Sequence, residues 1–231
     1  MDESTAVNIV HVGKTGGTAL KALVDSYSRD FPGHQIVVRP HVFRLPRILK
    51  EFPDSKTGFC VREPVDRFLS GFYSRQRKGF PRYNNEWTPA EKKAFTDFGS
   101  PEALGLGLAS PDSSVREKAE YAMNAIGHTR MGLAHYLVSA RFLERIKDKI
   151  LFIGHQPDFD QDVDWIRQVL GIPQCYSLPD DDIGAHRNPI PVEDLSEVAR
   201  KALTEWYADD YPIYEWCLKR RDELKAAALS N

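Results

Sequence analysis

V-H-V-G-K-T-G-G-T-A-L, residues 10–20, carries the chain from a strand through a short loop into a helix. Asn8-Ile9-Val10-His11-Val12 is an apolar strand, and Leu20, Leu23, Val24 and Tyr27 recur at helical spacing beyond the loop. The first N–H groups of a helix have no intrahelical acceptor and carry partial positive charge. Gly16 and Gly17 let the backbone come close to a ligand, and Lys14 adds a full charge. Lys14, Thr15, Gly16, Gly17, Thr18 and Ala19 therefore read as a cradle for a phosphate or sulfate group at the edge of a sheet.

The nucleotide-hydrolysing pattern G-x-x-x-x-G-K-[ST] fits only in part. Gly13-Lys14-Thr15 meets its end, but Asn8 stands where its leading glycine belongs, and the glycine pair follows the lysine. Residues 58–75, G-F-C-V-R-E-P-V-D-R-F-L-S-G-F-Y-S-R, repeat the theme. A second apolar strand ends in Arg62. Pro64 then opens a helix, where its missing N–H costs little. Val65, Phe68, Leu69 and Phe72 form an apolar face, and Ser70 lies two turns beyond Arg62. A guanidinium fork and a hydroxyl suit a second phosphate.

Strands are expected near 7–12, 35–38, 57–62 and 150–153, separated by helical patterns. Such alternation predicts an α/β fold with a parallel sheet, whose ligands bind beyond the carboxyl ends of the strands. Residues 79–139 read as helical and irregular, broken by Pro81, Pro89, Pro101 and Pro111. They are expected to form a helical cap, with a longer helix from about 115 to 145 that Gly127 or Gly132 bends. A helix over 158–170 and two C-terminal helices over 194–229, broken at 209–212, complete the reading.

At 231 residues the chain fits one domain with a sizeable core. Lys and Arg total 31 against 33 Asp and Glu, a net charge of −2, so no global basic field points to nucleic acid. Cys60, Cys175 and Cys217 are sparse, odd in number and without a C-x-x-C pair, which suits reduced thiols in a cytoplasm. Cys60 reads as a small hydrophobe in a core strand. No run approaches the ~18 apolar residues of a membrane helix, and the early first strand leaves the expectation of no signal peptide. No metal-ligand spacing is present in the sequence, and oligomeric state is not readable from it.

Together the two anion segments resemble the PAPS-dependent sulfotransferases. That family carries a 5′-phosphosulfate loop P-K-T-G-G-T or P-K-S-G-T-T and a 3′-phosphate motif V-R-[DE]-P-x-x-R-x-x-S-x-[FY]-Y. Here these are Gly13-Lys14-Thr15-Gly16-Gly17-Thr18 and Val61-Arg62-Glu63-Pro64 through Arg67, Ser70, Phe72 and Tyr73. The T-G-G-T form is similar to carbohydrate sulfotransferases, including the heparan sulfate 2-O type, and their bacterial relatives. Gly13 replaces the usual proline, which is expected to loosen the loop. Arg39-Pro40-His41 is similar to the family's histidine-bearing segment, and 188–214 resembles its C-terminal pattern, with Pro189-Ile190 departing from the polar start.

The resemblance implies a P-loop-like three-layer αβα sandwich that binds PAPS (3′-phosphoadenosine 5′-phosphosulfate), releases PAP and sulfates a hydroxyl of a carbohydrate or small-molecule acceptor. Lys14 would neutralise the bridging oxygen, the N–H groups from Gly16 to Ala19 would hold the 5′-phosphate, and Arg62 and Ser70 the 3′-phosphate. Arg187 would close over that phosphate from a late basic loop. His41, at a strand end, is the candidate general base, since a neutral imidazole accepts a proton near pH 7. His11 reads as a buried structural group, and His128 and His135 as packing residues on one helix face. His34 and His155 carry no signal. Arg75, Arg77, Lys78 and Arg82, mixed with Phe80, Tyr83 and Trp87, could grip an anionic sugar. A nucleotide kinase or ATPase, and a non-catalytic PAPS-binding module, are the competing readings.

Overall fold

Short strands that are buried along their whole length belong to a sheet covered on both faces. In the computed structural model, which describes residues 6–178 and 194–229, β1 (Val7–Val10), α1 (Gly17–Asp30), β2 (Ile36–Arg39), α2 (Leu45–Glu51) and β3 (Lys56–Val61) come first. A helical run comes next: α3 (Pro64–Gln76), α4 (Pro89–Asp97), α5 (Pro101–Leu108), α6 (Ser113–Ala125), α7 (Leu133–Leu137) and α8 (Ala140–Arg145). The chain closes with β4 (Ile150–His155), α9 (Phe159–Leu170), α10 (Glu197–Trp206) and α11 (Tyr211–Leu229). These elements form two compact units. Among the described residues, the first holds 6–62, 133–178 and 209–229, and the second holds 63–132 and 194–208.

The first unit is α/β, with a parallel sheet in the order β2-β1-β3-β4. Val10 pairs with Arg39 on one side and Phe59 on the other, and Val61 pairs with His155. The chain leaving β1 goes to β2, and the chain leaving β3 goes to β4, on opposite sides. The carboxyl ends of β1 and β3 therefore flank the point where the winding reverses, which is where open parallel sheets bind ligands. On one face Val7, Ile9, Ile36, Val38, Cys60 and Phe152 pack with Leu20, Leu23 and Val24 of α1 and Val163, Ile166 and Leu170 of α9. Cys60 behaves as expected for a core thiol, since burial first and the Asp162 charge second push it up to about 12.

A buried carboxylate ties the C-terminal helix to this sheet. Asp162 of α9, fully shielded from solvent, accepts from Arg221 Nε (2.9 Å) and Nη2 (2.6 Å), from Lys225 Nζ, and from the His155 backbone N–H (2.7 Å). Asp210 does a similar job at a helix start, accepting from the N–H groups of Leu133 (2.7 Å) and Ala134 (2.8 Å).

The expected helix over 115–145 is instead three pieces. The buried Thr129 hydroxyl donates to the carbonyls of Met123 (2.8 Å) and Ile126 (3.0 Å), closing the end of α6. Asp210 then caps α7, Val138 leaves it with φ 75°, and the Ser139 hydroxyl accepts from Phe142 N–H to start α8. His128 consequently sits in the turn after α6 and His135 in α7, not along one helix face. The pieces also divide between units, with α6 in the second and α7 and α8 in the first. No helix among the described residues is long and apolar enough to cross a membrane.

In the second unit Arg75 of α3 and Glu91 of α4 form a two-pronged ion pair, Nε to Oε1 at 2.7 Å and Nη2 to Oε2 at 2.9 Å. Glu91 is 4% exposed and also accepts from the N–H groups of Thr88 and Gly127. Burial raises its carboxyl, but Arg75 and those N–H groups outweigh this and hold it down to about 2, against an ordinary 4.5. A depressed carboxyl stabilises fully above its unfolded pKa and loses that contribution as pH falls through its folded value. Urea midpoints measured between pH 5 and 2 are therefore expected to fall more steeply in the wild type than in Glu91→Gln. Parallel profiles would refute this.

Candidate functional site

The strand β1 ends two residues earlier than expected. Val12 N–H turns back to the Val10 carbonyl (3.0 Å), so His11 and Val12 belong to the loop. Two left-handed residues shape its path toward α1, Lys14 at φ 69° and Gly16 at φ 88°. A side chain at position 16 would be strained at that φ, and its Cβ would lie 3.3 Å from the Phe159 ring. Successive backbone N–H groups turned by such alternation form a concavity that favours anions. Among the described residues, the N–H groups of Thr15, Gly16, Gly17 and Thr18 donate to no backbone carbonyl, while Ala19 and Leu20 already donate to Gly16.

The Thr15 hydroxyl is committed within the loop. It is buried and donates to the Val12 carbonyl (2.9 Å), so this residue offers a ligand its N–H rather than its hydroxyl proton. Gly13, in place of the resembled family's proline, gains a reason. A Cβ there would sit 3.2 Å from the hydroxyl of Tyr136, a buried residue of α7, and 3.9 Å from His41 Cε1. The loop is therefore packed at this point rather than loosened.

His41 stands just past the end of β2, beside that loop. Its Nδ1–H donates to the His11 carbonyl (2.9 Å), since a carbonyl can only accept. In the neutral ring the lone pair is then on Nε2. The His11 and His41 rings are stacked at 3.9 Å between centroids, tilted by 32°. Burial lowers the pKa of both. For His41 the hydrogen bond to His11 works in the opposite direction and the Lys14 charge adds to the lowering. His11 is pushed down to about 3, with the positive charges of His41, Lys21 and Lys14 contributing after burial. His11 is thus kept neutral in mildly acidic solution, and His41 takes up a proton less readily than an ordinary imidazole.

Lys14 is half-buried in the loop, and the half-buried Arg62 is the first residue after β3, so its strand leaves the sheet on the same edge and next to β1. The first unit therefore collects Lys14, Thr15, Gly16, Gly17, Thr18, Ala19, His41 and Arg62 at the carboxyl edge of one sheet. Ser70 lies half-buried on α3 in the second unit. Arg187, with residues 186–188 and the acidic 180–182 stretch of the sequence, lies outside the described residues.

The remaining strand also ends in chemistry. His155 terminates β4, with Nδ1 2.8 Å from the Asp158 carboxylate and Nε2 2.9 Å from the Tyr214 hydroxyl. It holds the turn that delivers Phe159 to Gly16. Its place at a strand end, the cue that singles out His41, is the signal by which the sequence could have revealed it. In the basic cluster of the second unit, Arg75 is engaged by Glu91. Lys78 pairs with Glu86 at 2.5 Å and lies over the Trp87 ring, while Arg77 Nε donates to the Phe80 carbonyl. An anionic sugar would have to displace these partners.

No family model matches the chain, and no curated protein matches it.

Proposed function

We propose that this protein is a PAPS-dependent sulfotransferase that moves a sulfuryl group to a hydroxyl of a carbohydrate or small-molecule acceptor. The observation that carries the reading is the pairing of an anion-shaped backbone loop bearing Lys14 with a histidine whose Nε2 is available as a base. PAPS supplies the sulfuryl group. The N–H groups of Gly16, Gly17 and Thr18 hold the 5′-phosphate, favoured by the helix dipole of α1, while the Ala19 N–H is already engaged by the Gly16 carbonyl. Lys14 neutralises charge developing on the bridging oxygen, and His41 Nε2 takes the acceptor proton. Arg62 grips the 3′-phosphate, and the family resemblance adds Ser70 and Arg187 to that grip. A P-loop-like three-layer αβα arrangement, a helical cap and a reducing, cytoplasmic setting for the free cysteines belong to the same proposal.

Calorimetry separates this from nucleotide phosphoryl transfer, to which Gly13-Lys14-Thr15 alone would fit. PAP is expected to bind without Mg²⁺ and more tightly than ATP with Mg²⁺; the reverse order would overturn the proposal. With radiolabelled PAPS and a panel of sugars and phenols, Lys14→Ala is expected to reduce the transfer rate by about 10²–10³-fold, the usual cost of losing one preorganised charge-stabilising group. An unchanged rate would remove Lys14 from the reaction.

A further inference from the structure

His11 does more than fill space. His11 is half-buried, and among the described residues its ring makes no hydrogen bond to the protein. What it makes is the stack with His41 at 3.9 Å. Its backbone carbonyl meanwhile takes the Nδ1–H of the same partner. One residue thus holds His41 twice, once by its main chain and once by its side chain.

Gly17 is shaped to this arrangement. A Cβ at that position would fall 2.3 Å from His11 Cδ2 and 2.7 Å from Nε2, well inside contact distance. The second glycine of the pair therefore makes room for an imidazole lying across the start of α1, in addition to any closeness it grants an anion. The first turn of α1, the His11 ring and the His41 ring form one layered stack, with Lys14 as the charged group facing both imidazoles.

We propose that His11 is a positioning residue for His41. Its carbonyl fixes which nitrogen of His41 is free, and its ring, seated over Gly17, is the platform that sets the angle of the base and shields one of its faces from water. The inference deepens the sulfotransferase reading and rests on it for the word base. The hold itself is a property of the free protein.

The test uses that independence. Histidine-labelled protein is titrated by NMR, reading the His41 midpoint and its tautomer in the wild type, His11→Ala, His11→Phe and Gly17→Ala. In His11→Ala the platform is gone but the main-chain acceptor stays, so the His41 midpoint is expected to rise toward 6.5 while the Nδ1–H tautomer persists. His11→Phe restores a flat ring without nitrogens and is expected to keep both at wild-type values. Gly17→Ala displaces the ring without deleting it and is expected to behave like His11→Ala, which keeps the test open should the alanine variant fail to fold. Transfer assays should then show kcat falling about 10–10²-fold in His11→Ala, as for a misplaced catalytic group. The acid limb of its pH profile should move upward, and His11→Phe should restore both. Wild-type midpoints in both His11→Ala and Gly17→Ala, or a His11→Phe variant that behaves like His11→Ala, would overturn the proposal. If the wild type transfers no sulfate while the NMR results hold, the sulfotransferase reading falls and the positioning role stands.

Discussion

Replacing His41 by alanine is expected to lower kcat by about 10²–10⁴-fold, the span of a lost general base. The loss should fall on kcat far more than on PAP affinity, because in the proposed reaction the imidazole acts on the acceptor proton and not on the nucleotide. The wild-type profile should carry a second mark. Burial and Lys14 lower the His41 pKa below 6.5, and a base must be unprotonated to act. The acid limb of kcat/KM should therefore lie below pH 6.5, and activity should persist into mildly acidic solution. A rate within a few-fold of wild type in His41→Ala would move the proton transfer to another group.

Replacing Asp162 by alanine should cost about 3–5 kcal/mol of stability in the first unit, the range for breaking a buried ion pair from one side. The deletion leaves the Lys225 ammonium and much of the Arg221 guanidinium without their buried acceptor, and it also strips the His155 N–H of its partner. Arg221 keeps Asp158 (3.1 Å), which tempers the loss. Amide exchange along β4 and α9, read with the urea midpoint, measures it. Amides in β4 that exchange at wild-type rates in the variant would show that the charges find water or new partners at little cost.

The parts of the fold that could be read in the sequence are those encoded by near neighbours. Buried strands announce themselves as apolar runs, and the end of each run places His41 and Arg62 just past the carboxyl ends of β2 and β3. The breaks after α6 and before α7 could not be read the same way. One is made by a threonine hydroxyl folding back on its own helix, and the other by Asp210, a carboxylate 77 positions beyond Leu133. A periodicity that looks continuous from 115 to 145 has no means of registering a cap brought from so far away. The same limit applies within the site. Gly16-Gly17 reads as room for an anion, whereas the neighbour that most directly requires Gly17 is the His11 ring. Arg75 reads as a free surface cation until Glu91, 16 positions on, is brought against it.

Because Asp162 and Arg221 stand 59 positions apart, a growing polypeptide exposes the carboxylate well before its guanidinium exists. At ~5–20 residues per second on the ribosome, the interval is roughly 3–12 s. Over that time all four strands have been made, but Asp162 has no guanidinium to meet it, so its buried position is satisfied only when the last helix arrives.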